Sequence, residues 1–250
     1  MQQRFPEVLV RNDPKQYDEL ADQWWDPRGH FVSLSWIAKA RAELIPAATR
    51  PDAILVDVAC GGGLLHPHLE GKGYRHVGVD LSEQGPRVAR EHGVDFTVRG
   101  DINRIPLADG CADVVVAGQC LEHVPDPYAV AAECCRILKP GGTFVLDTIA
   151  DTRLARLMII TIGESLPLPG MAPKGCHDHK LFVNPDRLAL ACAAAGVPMK
   201  LRGLFPSILD FMLWFPKARR DVRMRPVRST SVLYQAVGTK QPAPAEAVTA

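Results

Sequence analysis

The 250-residue chain has almost no net charge, with 29 Lys+Arg against 28 Asp+Glu and a formal +1 at neutral pH. No overall field is available to hold a polyanion by counterion release, which removes nucleic acid as the main partner. There is no Cys-x-x-Cys pair. The seven cysteines are odd in number and sit mostly in apolar runs (Cys111, Cys120, Cys134, Cys135, Cys192), as reduced thiols packed as small hydrophobes do. The opening MQQRFPEVLV lacks the apolar core of a secretory signal, and no window reaches the roughly 18 uninterrupted apolar residues of a membrane span. A cytoplasmic protein is expected, at most resting on the inner face of a membrane. No internal repeat is present, and nothing in the composition speaks to oligomeric state.

What the chain does have is enough apolar material, 47% of its residues, to bury one sizeable core. From Ala53 onward, short β-forming runs alternate with segments long enough for crossover helices: AILVDV, RHVGVD, DFTVRG, ADVVVAG and GTFVLDT. Val and Ile recur without strict polar alternation, as in strands covered on both faces. With MKLRGLF and SVLYQAVG, on either side of a basic linker, the candidates number seven. The expected fold is α/β, a Rossmann-like doubly wound, mostly parallel sheet. Residues 1–50 read as a helical cap broken at Pro27 and Gly29, and 51–240 as the main domain. Within it, 151–182 forms a lid that starts as an amphipathic helix and turns Pro/Gly-rich, and a further helix spans Asn184 to Ala195. Residues 241–250 read as a disordered tail.

The stretch DVACGGGLLHPHL, beginning at Asp57, places small residues between a strand and an expected helix, where a doubly wound fold binds its ligand. Glycines there let backbone N–H groups approach something anionic or bulky. A dinucleotide fingerprint is missing, because His66 occupies the third glycine position, and no G-K-[ST] follows for a phosphate loop. Asp80 ends the next strand about 20 residues on, where an acidic side chain accepts hydrogen bonds from a ribose. Asp101 follows the third strand and is placed to take an adenine amino group. A nucleoside without pyrophosphate fits; the competing reading is that these acids only cap helices.

The motifs WWDPRGHFVSL, DVACGGGLL, LEHVPDP, LKPGG and PKGCHDHKLFVNPDRL resemble the class I methyltransferases that use S-adenosylmethionine. Within that class the chain is similar to the ubiquinone-biosynthesis O-methyltransferase family, which methylates polyprenylated catechol-type rings. The resemblance implies a seven-stranded class I fold. It also implies that Asp57 and the backbone of Cys60, Gly61, Gly62 and Gly63 hold the methionine part of the cofactor, with Asp80 on the ribose and Ala59, Leu81, Gly118 and Gln119 among the other cofactor-binding positions. Arg41 matches an arginine that the family sets on the cofactor; a solvated helix arginine is the competing reading. Ala59 replaces the family's glycine, a change tolerable at negative φ.

Methyl transfer is an in-line displacement in which the enzyme mainly aligns the reacting atoms, and the cofactor carries the hard chemistry. A phenol with a pKa near 10 needs a base or a metal. Gln119, Glu122 and His123 stand where the family has E-x-x-E-H, a pattern associated with a divalent ion such as Mg²⁺; Gln119 removes one charge from that set. The metal-free alternative uses His123 as base, with its ordinary pKa of about 6.5. His177, in the lid motif, orients the acceptor or closes the lid. A zinc reading of the Cys176–His179 run lacks ligands from a second segment. The expected partner is a small aromatic acceptor; the apolar lid segment reads either as facing lipid or a prenyl tail, a peripheral membrane contact implied by the resemblance, or as a helix packed on the protein's own core. Two other readings stand beside this one: a secondary-metabolite methyltransferase acting on another O, N or C nucleophile, and a catalytically inactive, cofactor-binding regulator.

Overall fold

The computed structural model describes residues 11–166, 170–217 and 221–242. Its strands are β1 (Ala53–Val58), β2 (Tyr74–Asp80), β3 (Phe96–Arg99), β4 (Ala112–Gly118), β5 (Leu138–Ile149), β6 (Met199–Pro206), β7 (Met224–Val227) and β8 (Leu233–Thr239). They form one sheet in the order β3-β2-β1-β4-β5-β8-β6-β7. The first five run parallel, while β8 is antiparallel to both β5 and β6. The strand order reverses between β1 and β4, so a crevice opens beyond their carboxyl ends, the usual ligand position in doubly wound sheets.

The sheet has eight strands, not seven. The extra one, β7, pairs with β6 at the edge, inside what reads as a basic linker. Its MRPV sequence gives little β signal: Arg225, Pro226 and Val227 are exposed, and Pro226 is tolerated because an edge strand needs pairing on one side only. A helix, α7 (Ile208–Trp214), also lies in that stretch, capped by Ser207 accepting from the Asp210 amide. Most of the expected tail, 243–250, lies outside the described residues.

Burial explains the central strands. Leu55, Val56 and Val58 of β1 and Val114, Val115 and Val116 of β4 are almost fully buried, as parallel strands between helical layers require. The crossover helices have local start signals. In α4 (Pro127–Ile137) Asp126 accepts from the amides of Tyr128 and Ala129 and Pro127 opens the first turn; in α6 (Pro185–Ala194) Asn184 accepts from Asp186 and Arg187. The helix α3 (Gln84–Glu91) buries Val88 and Ala89. No helix follows the glycine bend. Only a 3-10 turn, His66–Leu69, forms there, containing Pro67 and ending toward Gly71 and Gly73, both at positive φ.

The amino-terminal segment holds α1 (Lys15–Glu19) and α2 (Val32–Ala42), with turns around Pro27 and Gly29; residues 1–10 of the expected cap lie outside the described residues. The segment expected to be a lid begins at α5 (Arg153–Ala155), capped by Thr152, and continues as a π-helix over Arg156–Gly163. Among the described residues no helix is long and apolar enough to cross a membrane. Six of the seven cysteines are buried.

The glycine bend is packed first against the protein itself. A Cβ on Gly61 would stand 2.4 Å from the Trp24 ring, and one on Gly62 2.5 Å from it. The neighbouring Trp25 donates its indole N–H to the Gly62 carbonyl at 2.9 Å. Trp24 also stacks on Phe31 with centroids 4.1 Å apart. Gly63 faces elsewhere: its Cβ would meet the Ala89 backbone of α3 at 3.0 Å. Gly61→Ala is therefore expected to destabilise the fold by roughly 2–4 kcal/mol, from the left-handed φ and the overpacked contact together. Urea denaturation checks it, and in a Trp24→Ala background the loss should shrink by the steric share.

Candidate active site

A cavity of about 550 Å³ lies over the carboxyl ends of the strands, walled also by residues of the amino-terminal helices, such as Tyr17 and Arg41, and of the 151–182 segment, such as Met158 and His177. The first three strands each contribute an acid to its wall: Asp57 from β1, Asp80 from β2, and Asp101 just beyond β3. Asp80 braces the bend, with Oδ2 accepting from the Gly61 amide and Oδ1 from the Ser82 amide, both at 2.8 Å. Burial raises its pKa, while these hydrogen bonds hold the rise back. Asp101 caps its own turn, accepting from the amide and side-chain nitrogen of Asn103. Leu81, 55% exposed, also borders the cavity. Ala59, Cys60 and Gly61 line it as expected, but Gly63 does not; its role is the contact with α3.

Ala59 has φ +56, not the negative value under which its methyl would be harmless. The left-handed conformation costs a non-glycine residue about 1–2 kcal/mol. Gln119, at the end of β4, is likewise at φ +53. Such strain persists only where the surroundings fix the backbone, and here two strand ends facing the cavity carry it.

Arg41 projects from α2 into the wall and is committed to a partner that the sequence reading missed. Its Nε and Nη2 donate to the two carboxylate oxygens of Asp147 on β5, at 2.6 and 2.8 Å, and both residues are buried. Desolvation works against the guanidinium charge, but the Asp147 carboxylate outweighs it and raises the pKa of Arg41. The Gln119 side chain donates to Asp147 Oδ1 at 3.0 Å, and its amide to the Asp147 carbonyl at 2.8 Å. Gly118 must be glycine, because its Cβ would fall on the Arg41 guanidinium.

Beyond β4, Glu122 is fully buried. Its Oε2 accepts from the Thr148 hydroxyl at 2.7 Å, and its Oε1 has no hydrogen-bond partner. Burial raises its pKa to about 7 against the pull of its hydrogen bonds. Burial acts the other way on His123, whose pKa is lowered to about 3, with His177 adding to the effect. The expectation of a base with an ordinary histidine pKa is thus not met. Both ring nitrogens of His123 are occupied: Nδ1 lies 2.5 Å from Asn12 Oδ1, and Nε2 3.1 Å from the Tyr17 hydroxyl. Asn12 also donates its amide nitrogen to the His123 carbonyl, which turns its oxygen toward Nδ1. Nδ1 is therefore the donor and Nε2 accepts from Tyr17.

Gln119, Glu122 and His123 do not fit a divalent cation. His123 has no free nitrogen, Gln119 brings no negative charge, and no cluster of three or more His, Cys, Asp or Glu suited to a metal occurs among the described residues. The Cys176 thiol is buried and its pKa pushed up to about 12, unlike a zinc ligand. His177 does reach the cavity. Its ring lies 5.3 Å from that of His123 and its Nδ1 3.1 Å from Glu164 Oε1. Glu164 also accepts from the amides of Gly175 and His177 and from Arg11.

Tyr17 and Asn12 carried no sequence signal, being ordinary polar positions in the cap. Asp147 carried one: an acid inside the apolar run FVLDT, at a strand end like Asp57 and Asp80. Arg41→Met should cost about 3–5 kcal/mol by leaving the Asp147 charge buried and unpaired, and Arg41→Met with Asp147→Leu should recover most of it. A double-mutant cycle by chemical denaturation reads both.

The Methyltransferase domain family matches residues 56–146. A ubiquinone biosynthesis O-methyltransferase of Ralstonia nicotianae is 38% identical over 199 residues, 76% of this chain and 82% of its own. One from Idiomarina loihiensis is 36% identical over 216 residues, 80% of this chain and 87% of that one. Among solved structures, a SAM-dependent methyltransferase of Thermotoga maritima superposes with TM-score 0.63 at 19% identity, over 91% of this chain and 97% of that one. Magnesium protoporphyrin IX methyltransferase from Synechocystis, solved with bound SAH, does so at 0.60 and 14% identity, over 91% and 95%; these two establish the class I fold. By sequence likeness over three quarters of its length, the chain belongs to the ubiquinone biosynthesis O-methyltransferase family.

Proposed function

We propose that the methyl acceptor of this S-adenosylmethionine-dependent methyltransferase is a hydroxyl on a lipophilic, quinol- or catechol-type ring, and that Glu122 takes the proton. The observation carrying this is the unpartnered Oε1 of Glu122 in the wall of a mainly apolar cavity, on a carboxyl with a pKa of about 7. A general base works best with a pKa near the operating pH. The curated relatives are named for O-methylation in ubiquinone biosynthesis, and the apolar part of the wall suits a ring with a greasy substituent.

The residues fit the cofactor. Three acids at successive strand tips face a molecule that carries an ammonium, a sulfonium and a ribose diol: Asp57 receives the ammonium, Asp80 the ribose and Asp101 the adenine. When bound, S-adenosylmethionine supplies an activated methyl group. Trp24 and the glycine bend form the floor, and Arg41, held by Asp147, closes the wall at β4. His123 stays neutral and, by accepting from Tyr17, fixes the ring that covers the acceptor side. Thr148 holds one Glu122 oxygen so that the other faces the acceptor. The absence of a fitting donor set among Gln119, Glu122 and His123 favours this metal-free route over Mg²⁺.

Methyl-labelled cofactor incubated with a panel of catechols, quinols and phenols should label the lipophilic diphenols first. Labelling of nitrogen nucleophiles alone would overturn the acceptor class. Because the pKa of Glu122 is raised, its base form fills in as pH rises through about 7, so the rate should climb and level off above it. Glu122→Gln should remove that limb and lower kcat by roughly 10²–10⁴; an unchanged profile assigns the proton to another group. A peripheral membrane contact is part of the same proposal, because the lid leaves Leu154, Leu157, Ile162 and Leu166 exposed. Co-sedimentation with anionic vesicles, lost on changing Leu154 and Leu157 to Ser, is the expected result.

A further inference from the structure

The buried carboxylate of Asp57 has one direct polar contact, His76 on β2. His76 Nε2 lies 3.4 Å from Asp57 Oδ2, with the two side chains 1% and 5% exposed. That approach is too bent for a full hydrogen bond, and Nε2 has no other partner. The opposite side of the ring is also engaged: His76 Nδ1 lies 3.2 Å from His66 Nδ1, with the rings nearly parallel at 10°. His66 is in turn seated against Gly93, where a Cβ would meet its Nε2 at 2.7 Å. The His76 backbone is pinned by its amide donating to Asp95 Oδ2 at 2.7 Å.

We propose that His76 is a positioning residue for the cofactor: it orients the Asp57 carboxylate that receives the ammonium group of S-adenosylmethionine, and His66 fixes the tautomer in which it does so. This rests on the assignment of Asp57 to the methionine portion made above. An ionised carboxylate only accepts, so His76 must present Nε2–H to Asp57. In the neutral ring its Nδ1 is then bare and accepts from His66 Nδ1–H. The chain of donors runs one way, from His66 through His76 to Asp57, and each ring has a single tautomer consistent with it. The charged groups around Asp57 are Arg41, already paired with Asp147, and Asp80, already holding two amides. Neither donates to Asp57, so His76 is the group able to fix its rotamer. The bent 3.4 Å contact leaves room for a small rotation of the carboxylate that straightens the hydrogen bond as the ammonium arrives. Preorganising one oxygen in this way leaves the other for the ligand.

The test compares S-adenosylmethionine with 5′-methylthioadenosine, which lacks the amino-acid portion, by calorimetry on the full chain. His76→Phe should weaken the first about tenfold, equal to about 1.4 kcal/mol, and leave the second unchanged. His76→Gln, which keeps a donor near the Nε2 position, should restore most of the loss. Equal weakening of both ligands, or of neither, overturns the role. Asp57→Asn separates this idea from its foundation. If that variant shifts the ratio of the two affinities and His76→Phe does not, only the role of His76 falls; if Asp57→Asn leaves the ratio unchanged, the cofactor assignment falls with it. A readout free of any folding defect comes from the wild-type protein: nitrogen-15 NMR should show His76 protonated at Nε2 and bare at Nδ1. The reverse tautomer, or an imidazolium at neutral pH, overturns the proposal.

Discussion

The buried ion pair between Arg41 and Asp147 is the constraint on which the rest of the site depends. It joins the cap helix α2 to strand β5, one strand away from the point where the sheet reverses order, and it lies directly on Gly118 at the end of β4. Two charges withdrawn from water are tolerable only as a well-formed pair, so the cap has little freedom to sit elsewhere. With the cap fixed, Trp24 is fixed over the glycine bend, Tyr17 over His123, and the Gln119 backbone in its left-handed turn by its amide bond to Asp147. A single bidentate contact thus determines where three other elements meet the cavity.

Adjacent residues then receive opposite treatment from the same burial. Desolvation penalises whichever form is charged: Glu122 is pushed toward its neutral acid and His123 toward its neutral imidazole. The carboxyl arrives near the working pH and is able to exchange a proton; the imidazole is driven far from it and becomes a fixed acceptor. Sequence order alone would have given the histidine the proton, because its free pKa lies closer to neutrality. The low-dielectric setting reverses the choice.

Much of the fold was legible in the amino-acid pattern, because buried parallel strands leave continuous Val and Ile runs and because Asn184 opens its helix visibly. The edge strand β7 was not, since an exposed strand with a proline needs no apolar run, and neither was the missing helix after the glycine bend, where Pro67 and two later glycines cut the segment short. In the site, acids at strand tips announced Asp57, Asp80 and Asp101. The bend's small residues announced a close approach but not to what; Trp24 lies 37 residues before Gly61 in the chain, and only tertiary packing brings it there. Tyr17, Asn12 and His76 gain their significance from partners distant in sequence, and no local spacing encodes such pairs.

The tight seat of Trp24 on Gly61 and Gly62 has a consequence for how ligand and cap are coupled. The same backbone that would cradle the cofactor is the backbone that the cap's aromatic stack rests on, and Asp80 holds the Gly61 amide from beneath. Rotation of the bend on ligand entry would move Trp24, and through its stacking on Phe31 and Tyr17 would reach the hydroxyl that His123 accepts. Packed side chains transmit such shifts because interiors have few voids to absorb them. The glycine bend and the Tyr17–His123 contact are therefore parts of one aromatic assembly, in which Trp24 is the member that touches both the bend and the rings of the cap.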